Sequence, residues 1–324
     1  MFYAGRVPLV TILCCCGFLA TAGARSCPDA AAFRPCACDI QGINCGTANS
    51  TSVLREALKT AGPKEHVELW IQMSPLESFP AGILGDFVFR KINIDLNANL
   101  TFFSIAALKK TRPFLTKLSL FGNALTSFQF EGIRNFPKLV ELNVGKNQLE
   151  TIPARALQHP TLSTLVLSDN PIVSIGAYAF AGLPQLKTLH LVGTRITALG
   201  DYALSIPSGN PDLKILLSDG NLTSVSALAF SDTSPRVLYL KGNHLTEFPR
   251  AVFYPIIEQL ERRRQSSGKS SSLKVSGNPF SCAGCSFKWL VRLKNELLSR
   301  RLLSGFVCSD GTTLERLSYQ KIGC

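Results

Sequence analysis

A repeated pattern of apolar residues constrains the fold of this 324-residue chain more than any other feature. Its clearest copy reads Leu115-x-x-Leu118-x-Leu120-x-x-Asn123-x-Leu125. The same frame recurs from Leu139, Leu162 and Leu186, with weaker copies on both sides, and successive frames start at residues 69, 92, 118, 142, 165, 189, 215, 238 and 273. Every interval between successive starts except the last is 23 to 26 residues long. A chain with this self-similarity is expected to stack its repeats one on the next.

This frame and spacing are typical of leucine-rich repeats. The apolar residues at alternate positions are expected to point inward from a short strand, and strands of successive repeats to pair in one parallel sheet. The asparagine should turn the chain inward, where its amide can satisfy backbone groups that stacking buries. We therefore predict an α/β solenoid: a leucine-rich-repeat horseshoe with a concave parallel β-sheet and about nine repeats over residues 67–280.

The first 24 residues have the composition of a secretory signal peptide. Arg6 supplies a positive charge, an apolar run follows from Leu9, and the small residues Ala22-Gly-Ala24 offer a cleavage site. An uncleaved membrane anchor is the alternative, but the run is shorter than the roughly 20 residues that a spanning helix needs. We predict a secreted, extracellular protein without a membrane span.

The remaining cysteines fall into two groups of four, one at each end of the chain. They are Cys27, Cys36, Cys38, Cys45, Cys282, Cys285, Cys308 and Cys324. Because a stack of repeats exposes apolar surface at both ends, we predict disulfide-bonded caps over residues 25–66 and 281–324. A redox pair or zinc site at Cys282-x-x-Cys285 is the alternative, which an oxidising compartment disfavours.

An insertion lengthens the last repeat interval to 35 residues. It covers residues 254–272, of which Ile256–Arg264 is expected to form a short helix and the serine-rich stretch after it an exposed loop.

Catalytic motifs are missing from the sequence: it has no nucleophile elbow, phosphate-binding glycine loop or paired-histidine motif. Its four histidines are widely scattered. We predict a protein that is not an enzyme, with no catalytic residue, no metal and no cofactor.

Binding is the better prospect, because the outward residues of a concave sheet are free to serve recognition. The candidate contact residues on this face are Trp70, Phe121, His190, Leu216, Tyr239 and Lys241. Aromatic residues are common anchors of interfaces, so a protein or glycan ligand is predicted here. The alternative is that these apolar side chains are scattered on the surface without a binding role. The N-terminal cap could also cover Trp70.

The charge of +12 is concentrated toward the C-terminus, where residues 250–324 hold thirteen Lys and Arg against five Asp and Glu. The candidate basic patch consists of Arg262, Arg263, Arg264, Lys288, Arg292 and Lys294. It suggests an anionic polysaccharide or microbial surface as an alternative partner, although solubility alone would also account for the charge. No nucleic-acid partner is predicted.

Sequons for N-glycosylation begin at Asn49, Asn99 and Asn221.

The chain resembles secreted arthropod leucine-rich-repeat proteins grouped with the non-catalytic subunit of oplophorus-luciferin 2-monooxygenase. The resemblance lies in Cys27-Pro28, Cys36-Ala-Cys38 and Cys45, in residues 79–87 and 97–100, and in the ending Cys308-Ser-Asp-Gly311 to Cys324. It implies the pairings Cys27–Cys38, Cys36–Cys45, Cys282–Cys308 and Cys285–Cys324. Oxidation belongs to a separate subunit in that luciferase, so the resemblance implies no monooxygenase activity here. It leaves open a role as accessory scaffold of an oxygenase complex.

Overall fold

In the computed structural model, which describes residues 27–324, the chain forms a solenoid around one 12-stranded sheet. The predicted signal peptide lies outside the described residues. Only the first pair of strands is antiparallel, and the other neighbours run parallel. The strands are β1 Ala37–Cys38, β2 Gly42–Asn44, β3 Glu65–Gln72, β4 Val88–Asp95, β5 Lys117–Ser119, β6 Glu141–Asn143, β7 Thr164–Val166, β8 Thr188–His190, β9 Lys214–Leu216, β10 Val237–Tyr239, β11 Ser272–Lys274 and β12 Leu303–Ser304.

The inward positions of the frame align across the sheet and form the core. Leu118 pairs with Leu142, which pairs in turn with Leu165, and the column continues through Leu189 and Ile215. All five side chains are at most 1% exposed. Each such burial contributes about 1.5–3 kcal/mol relative to an exposed side chain. The predicted fold class is confirmed.

The asparagines at the strand ends form the second column of the core. The Nδ2 atom of Asn147 donates to the carbonyl oxygens of Leu120, Val144 and Gly145 at 2.8–3.0 Å, and its Oδ1 accepts from Leu125 N at 3.1 Å. The same type of bonding recurs at Asn97, Asn123, Asn170, Asn243 and Asn278. The amide thus satisfies buried backbone groups of two adjacent repeats, as the sequence predicts.

The return arcs of the repeats contain short elements. Two 3₁₀ helices span Ile105–Thr111 and Phe130–Asn135. Three pairs of two-residue strands join arcs of neighbouring repeats: Ser78–Phe79 with Phe102–Phe103, Thr151–Ile152 with Ser174–Ile175, and Ala198–Leu199 with Ser224–Val225.

Both ends of the sheet continue into disulfide-bonded segments. At the N-terminal end the β1–β2 hairpin pairs with β3, so the first repeat presents no bare strand edge. Helix α1, Thr51–Ala57, follows it, and the side chain of its N-cap residue Ser50 accepts from Val53 N. The four disulfides are those implied by the resemblance: Cys27–Cys38, Cys36–Cys45, Cys282–Cys308 and Cys285–Cys324.

The C-terminal end is mainly helical. It contains a 3₁₀ turn at Cys285–Phe287, α3 at Lys288–Ser299, a second 3₁₀ turn at Leu314–Arg316 and α4 at Tyr319–Ile322. No helix among residues 27–324 is both long and apolar enough to cross a membrane.

The insertion forms a longer helix than its composition suggests. Helix α2 spans Arg250–Ser267 and ends where Gly268 adopts a φ of 67°. The terminal serines lie in the last turn of the helix, where the Ser266 and Ser267 hydroxyls donate to the carbonyl of Arg263 at 3.2 and 2.7 Å. The exposed loop is thereby reduced to the few residues between Gly268 and β11.

Candidate binding surfaces

The concave face presents one row of side chains that runs along the whole sheet. Strand register places each member of the row beside the equivalent residue of the next repeat, roughly 4.8 Å away. From β3 to β11, the row reads Trp70, Asn93, Ser119, Asn143, Val166, His190, Leu216, Tyr239 and Lys274.

In the N-terminal half of the row, Trp70 is followed by the polar residues Asn93, Ser119 and Asn143, and polar side chains there bond to one another. Asn93 Nδ2 donates to Glu68 Oε1 at 2.6 Å, and the Ser119 hydroxyl donates to Asp95 Oδ1 at 2.7 Å. Phe121 N donates to the same Asp95 oxygen at 2.9 Å. Burial raises the pKa of Asp95 above its ordinary value, although the hydrogen bonds from Ser119 and Phe121 oppose this effect. These groups are therefore occupied within the sheet.

The C-terminal half carries a continuous apolar strip, made of Val166, His190, Leu216 and Tyr239 on the adjacent strands β7 to β10. All four side chains are half-buried. Burial lowers the pKa of His190 below its ordinary value of 6.5, so the ring adds no charge to the strip at pH 7. Lys274 follows at the end of the row, with its Nζ 5.0 Å from the centroid of the Tyr239 ring.

Three of the six predicted concave residues, His190, Leu216 and Tyr239, thus lie side by side, with exposed Lys241 in the neighbouring column. Trp70 on β3 is four strands from the strip. Half-buried Phe121 lies beyond β5, in the polar half of the face. The set predicted from the sequence did not include Val166 and Lys274, which occupy the same row of the sheet.

The six residues of the predicted basic patch do not form one continuous surface in the structure. Arg264 makes a two-point ion pair with Glu261, at 2.8 Å for both bonds. Arg263 Nη2 donates to the Ser234 carbonyl at 2.7 Å, and Arg262 lines a cleft beside Glu258, Glu261 and Glu296. The consecutive arginines are therefore largely committed to internal partners or lie close to acidic groups.

The other three residues of the predicted patch lie on α3, and they also have different surroundings. Lys294 Nζ donates to the carbonyls of Leu317 and Glu315 at 2.7 and 3.3 Å, which ties α3 to the following 3₁₀ turn. Lys288 and Arg292 are four residues apart on α3 and face a separate groove.

The predicted glycan acceptors Asn49, Asn99 and Asn221 are all exposed, as attachment of a glycan requires.

The ion-pair network around Glu261 leads to a pH prediction. The hydrogen bond from Arg264, aided by Gln265 and the charge of Arg300, lowers the pKa of Glu261 from 4.5 to about 2. A depressed carboxylate pKa adds stability above pH 4.5, and this stability is lost as pH falls toward 2. We expect Glu261→Gln to lower the free energy of unfolding by about 1 kcal/mol at pH 7, since the partly exposed arginines are screened.

Thermal unfolding of both proteins from pH 7 to pH 2 measures this effect. The difference in Tm should shrink as the wild-type carboxylate becomes protonated. Glu56→Gln is the control, because the Glu56–Lys59 pair is well exposed and its removal should change stability by less than about 0.5 kcal/mol. A Tm difference that stays constant over this pH range would contradict the prediction.

The parallel concave sheet, the asparagine column and the disulfide-bonded ends define the fold of a capped leucine-rich-repeat solenoid. A leucine-rich-repeat family model matches residues 160–205. The chain is similar to the oplophorus-luciferin 2-monooxygenase non-catalytic subunit of Oplophorus gracilirostris, with 27% identity over 91% of this chain and 86% of that subunit. The expectation that this chain is not an enzyme agrees with that relative, which is itself a non-catalytic subunit.

Other similarities concern the repeats. CD180 antigen of Mus musculus is 30% identical over 56% of this chain, which spans only 28% of CD180. Among solved structures, a chain of the latrophilin 3–Unc5D–FLRT2 complex matches with a TM-score of 0.57 and 18% identity, over 85% of this chain and 87% of that one. A chain of the TLR13–ssRNA13 complex matches with a TM-score of 0.56 and 19% identity, over 72% of this chain and 31% of that one. These structural matches support the fold alone.

Proposed function

We propose that this protein is a secreted, non-catalytic binding protein that engages a protein partner through the apolar strip of its concave face. The proposal rests on one observation: four adjacent strands place side by side the residues Val166, His190, Leu216 and Tyr239. The sheet fixes the backbone of these residues, so binding would not have to order the chain at this site. A Tyr within an apolar cluster is a common energetic centre of an interface.

The dimensions and charge of the strip favour a particular kind of partner. Three strand intervals span about 14 Å, which suits one helix or extended segment that lies along the row. Lys241 and Lys274 flank its C-terminal end, whereas the strip itself is uncharged. The proposed partner surface is therefore apolar, with acidic groups at one end.

The test is capture of the partner from the native secretion with the tagged mature chain, comparing two double variants. Leu216→Ser/Tyr239→Ser changes the strip, and Trp70→Ser/Phe121→Ser is the matched control on the polar half of the same face. Loss of a buried interface anchor typically weakens binding by about 10-fold or more. We expect that loss for the strip variant and less than about a twofold change for the control.

The result would oppose the proposal if the control variant lost capture and the strip variant kept it. Circular dichroism of both variants separates lost binding from lost folding. A captured glycan that carries no protein would also contradict the choice of a protein partner.

A second candidate function is an accessory scaffold for an oxygenase, favoured by the 27% identity over 91% of the chain to a subunit of that kind. It predicts that a small catalytic chain copurifies in stoichiometric amount from the native secretion. Protein that purifies alone would count against it. Secretion itself is tested by the N-terminal sequence of the secreted protein, which should begin just after Ala24.

A further inference from the structure

A groove of about 760 Å³ lies between α2 and α3, away from the apolar strip. It brings together the first residue of each helix, Arg250 of α2 and Lys288 of α3. Arg292 adds a third cation one helical turn further along α3. The walls between these cations are mostly carbon, from Pro249, Ala251, Tyr254, Trp289 and Leu293.

The cations of this groove have no acidic counterpart. None of the ten described residues that line it is acidic. Within residues 27–324, no carboxylate lies within ion-pair distance of Lys288 or Arg292, and Arg250 contacts the Tyr254 ring, with its guanidinium carbon 4.6 Å from the centroid. By contrast, Arg264 and Arg300 at the other end of the helix pair both reach Glu261.

The position of these charges is unfavourable in the free protein. The N-terminal end of a helix carries partial positive charge, so cations are normally placed at the opposite end. Here the N-terminal ends of two helices and three cationic side chains converge on one groove. A local arrangement that opposes stability is often found at a functional site, and a bound anion would relieve this repulsion.

The geometry points to a binding site for a sulfated oligosaccharide in this groove. Its volume lies in the range of sites for organic ligands and far exceeds that of a single inorganic anion. Sulfate groups would meet Arg250, Lys288 and Arg292, and the C–H faces of sugar rings would lie against the carbon walls. The site is independent of the concave strip, and residues 262–264 do not belong to its lining.

The experiment uses the full mature chain and isothermal titration calorimetry with a heparin-derived tetrasaccharide in about 0.1 M salt, where the screening length is about 10 Å. Two variants change net charge equally at the same end of the molecule. Lys288→Gln/Arg292→Gln neutralises the groove, and Arg262→Gln/Arg301→Gln neutralises exposed cations outside it. We expect affinity to fall about 10-fold or more for the groove variant and less than about twofold for the control.

Equal losses of affinity in the two variants would show diffuse electrostatic attraction and contradict the proposed site. Affinity that neither variant changes would also contradict it. The ligand class is tested with a desulfated tetrasaccharide, inorganic phosphate and an acidic decapeptide. The proposal requires all three to bind more weakly than the sulfated tetrasaccharide. If the decapeptide bound more tightly and lost affinity in the groove variant, the saccharide assignment would be wrong and the groove would be a peptide site.

Discussion

Replacing Phe248 with alanine is expected to destabilise the protein by about 3–5 kcal/mol, the usual cost of truncating a buried phenylalanine. The side chain is 1% exposed and lies at the centre of an aromatic cluster. Its ring stacks on Phe253 at a centroid distance of 3.9 Å and on Trp289 at 5.7 Å. It also meets Phe280 and Phe306 edge-on, each at 5.4 Å.

The effect should be concentrated at the C-terminal end. Phe253 belongs to α2 and Trp289 to α3, and Trp289 Nε1 donates to the Phe248 carbonyl at 3.1 Å. The lost ring therefore removes one side chain that packs against both helices, and contacts such as Tyr254–Trp289 remain. Of the two tryptophans in the chain, Trp289 is in this cluster and Trp70 is on β3.

Urea unfolding followed by tryptophan fluorescence and by circular dichroism measures this prediction. Phe102→Ala is the control, because that ring is 53% exposed and its removal should change stability by less than about 0.5 kcal/mol. A loss below about 1 kcal/mol for Phe248→Ala would contradict the central position of the ring.

The same variant separates the two proposed binding surfaces. The groove is built from α2 and α3, so tetrasaccharide binding should weaken when the helices loosen. The apolar strip belongs to strands β7 to β10, which are stabilised by their own leucine column. In conditions where the repeats stay folded, partner capture should persist.

The repeat architecture was predictable because every signal it needs is local. Leu118 and Leu120 flank one outward residue, and Asn123 follows at a fixed distance, so the inward positions can be assigned without knowledge of any other repeat. The cysteine groups could likewise be recognised from their separation from the repeats.

The basic patch could not be predicted from residue adjacency, because neighbours on a helix point in different directions. Arg262, Arg263 and Arg264 are separated by about 100° each around α2, and they meet different surroundings. Lys288 and Arg292 have the i, i+4 spacing that places them on one face, which is the signal that could have been used. Their meeting with Arg250 depends on tertiary packing, which no local pattern contains.

The members of the concave strip could not be fully predicted from local sequence either. The outward columns could be read from the frame, but the neighbours of Tyr239 depend on strand register and on which side chains the sheet engages. Phe121 and Tyr239 are both aromatic, so residue type alone does not distinguish them. Its strand end lies beside the hydrogen-bonded Asp95, whereas Tyr239 continues an apolar row.

The last prediction concerns the asparagine column, where Asn147→Ala is expected to cost about 3 kcal/mol. Asn147 is 1% exposed and serves four backbone groups: three carbonyls and the N–H of Leu125. Alanine would leave buried polar groups without partners, at about 1–3 kcal/mol for each group that water cannot reach. Equilibrium unfolding in urea measures the loss.

Two further variants turn this into a ranked test. Thr194 occupies the equivalent position two repeats later, where its hydroxyl makes one bond to the Leu191 carbonyl at 3.2 Å, so Thr194→Ala should cost about 1 kcal/mol. Gln148 is exposed beside Asn147, and Gln148→Ala should have an effect within about 0.5 kcal/mol. If Asn147→Ala cost no more than Thr194→Ala, the amide would be a marker of the repeat without being a source of its stability. The predicted order would instead show that the side-chain amide of Asn147 stabilises the contact between adjacent repeats.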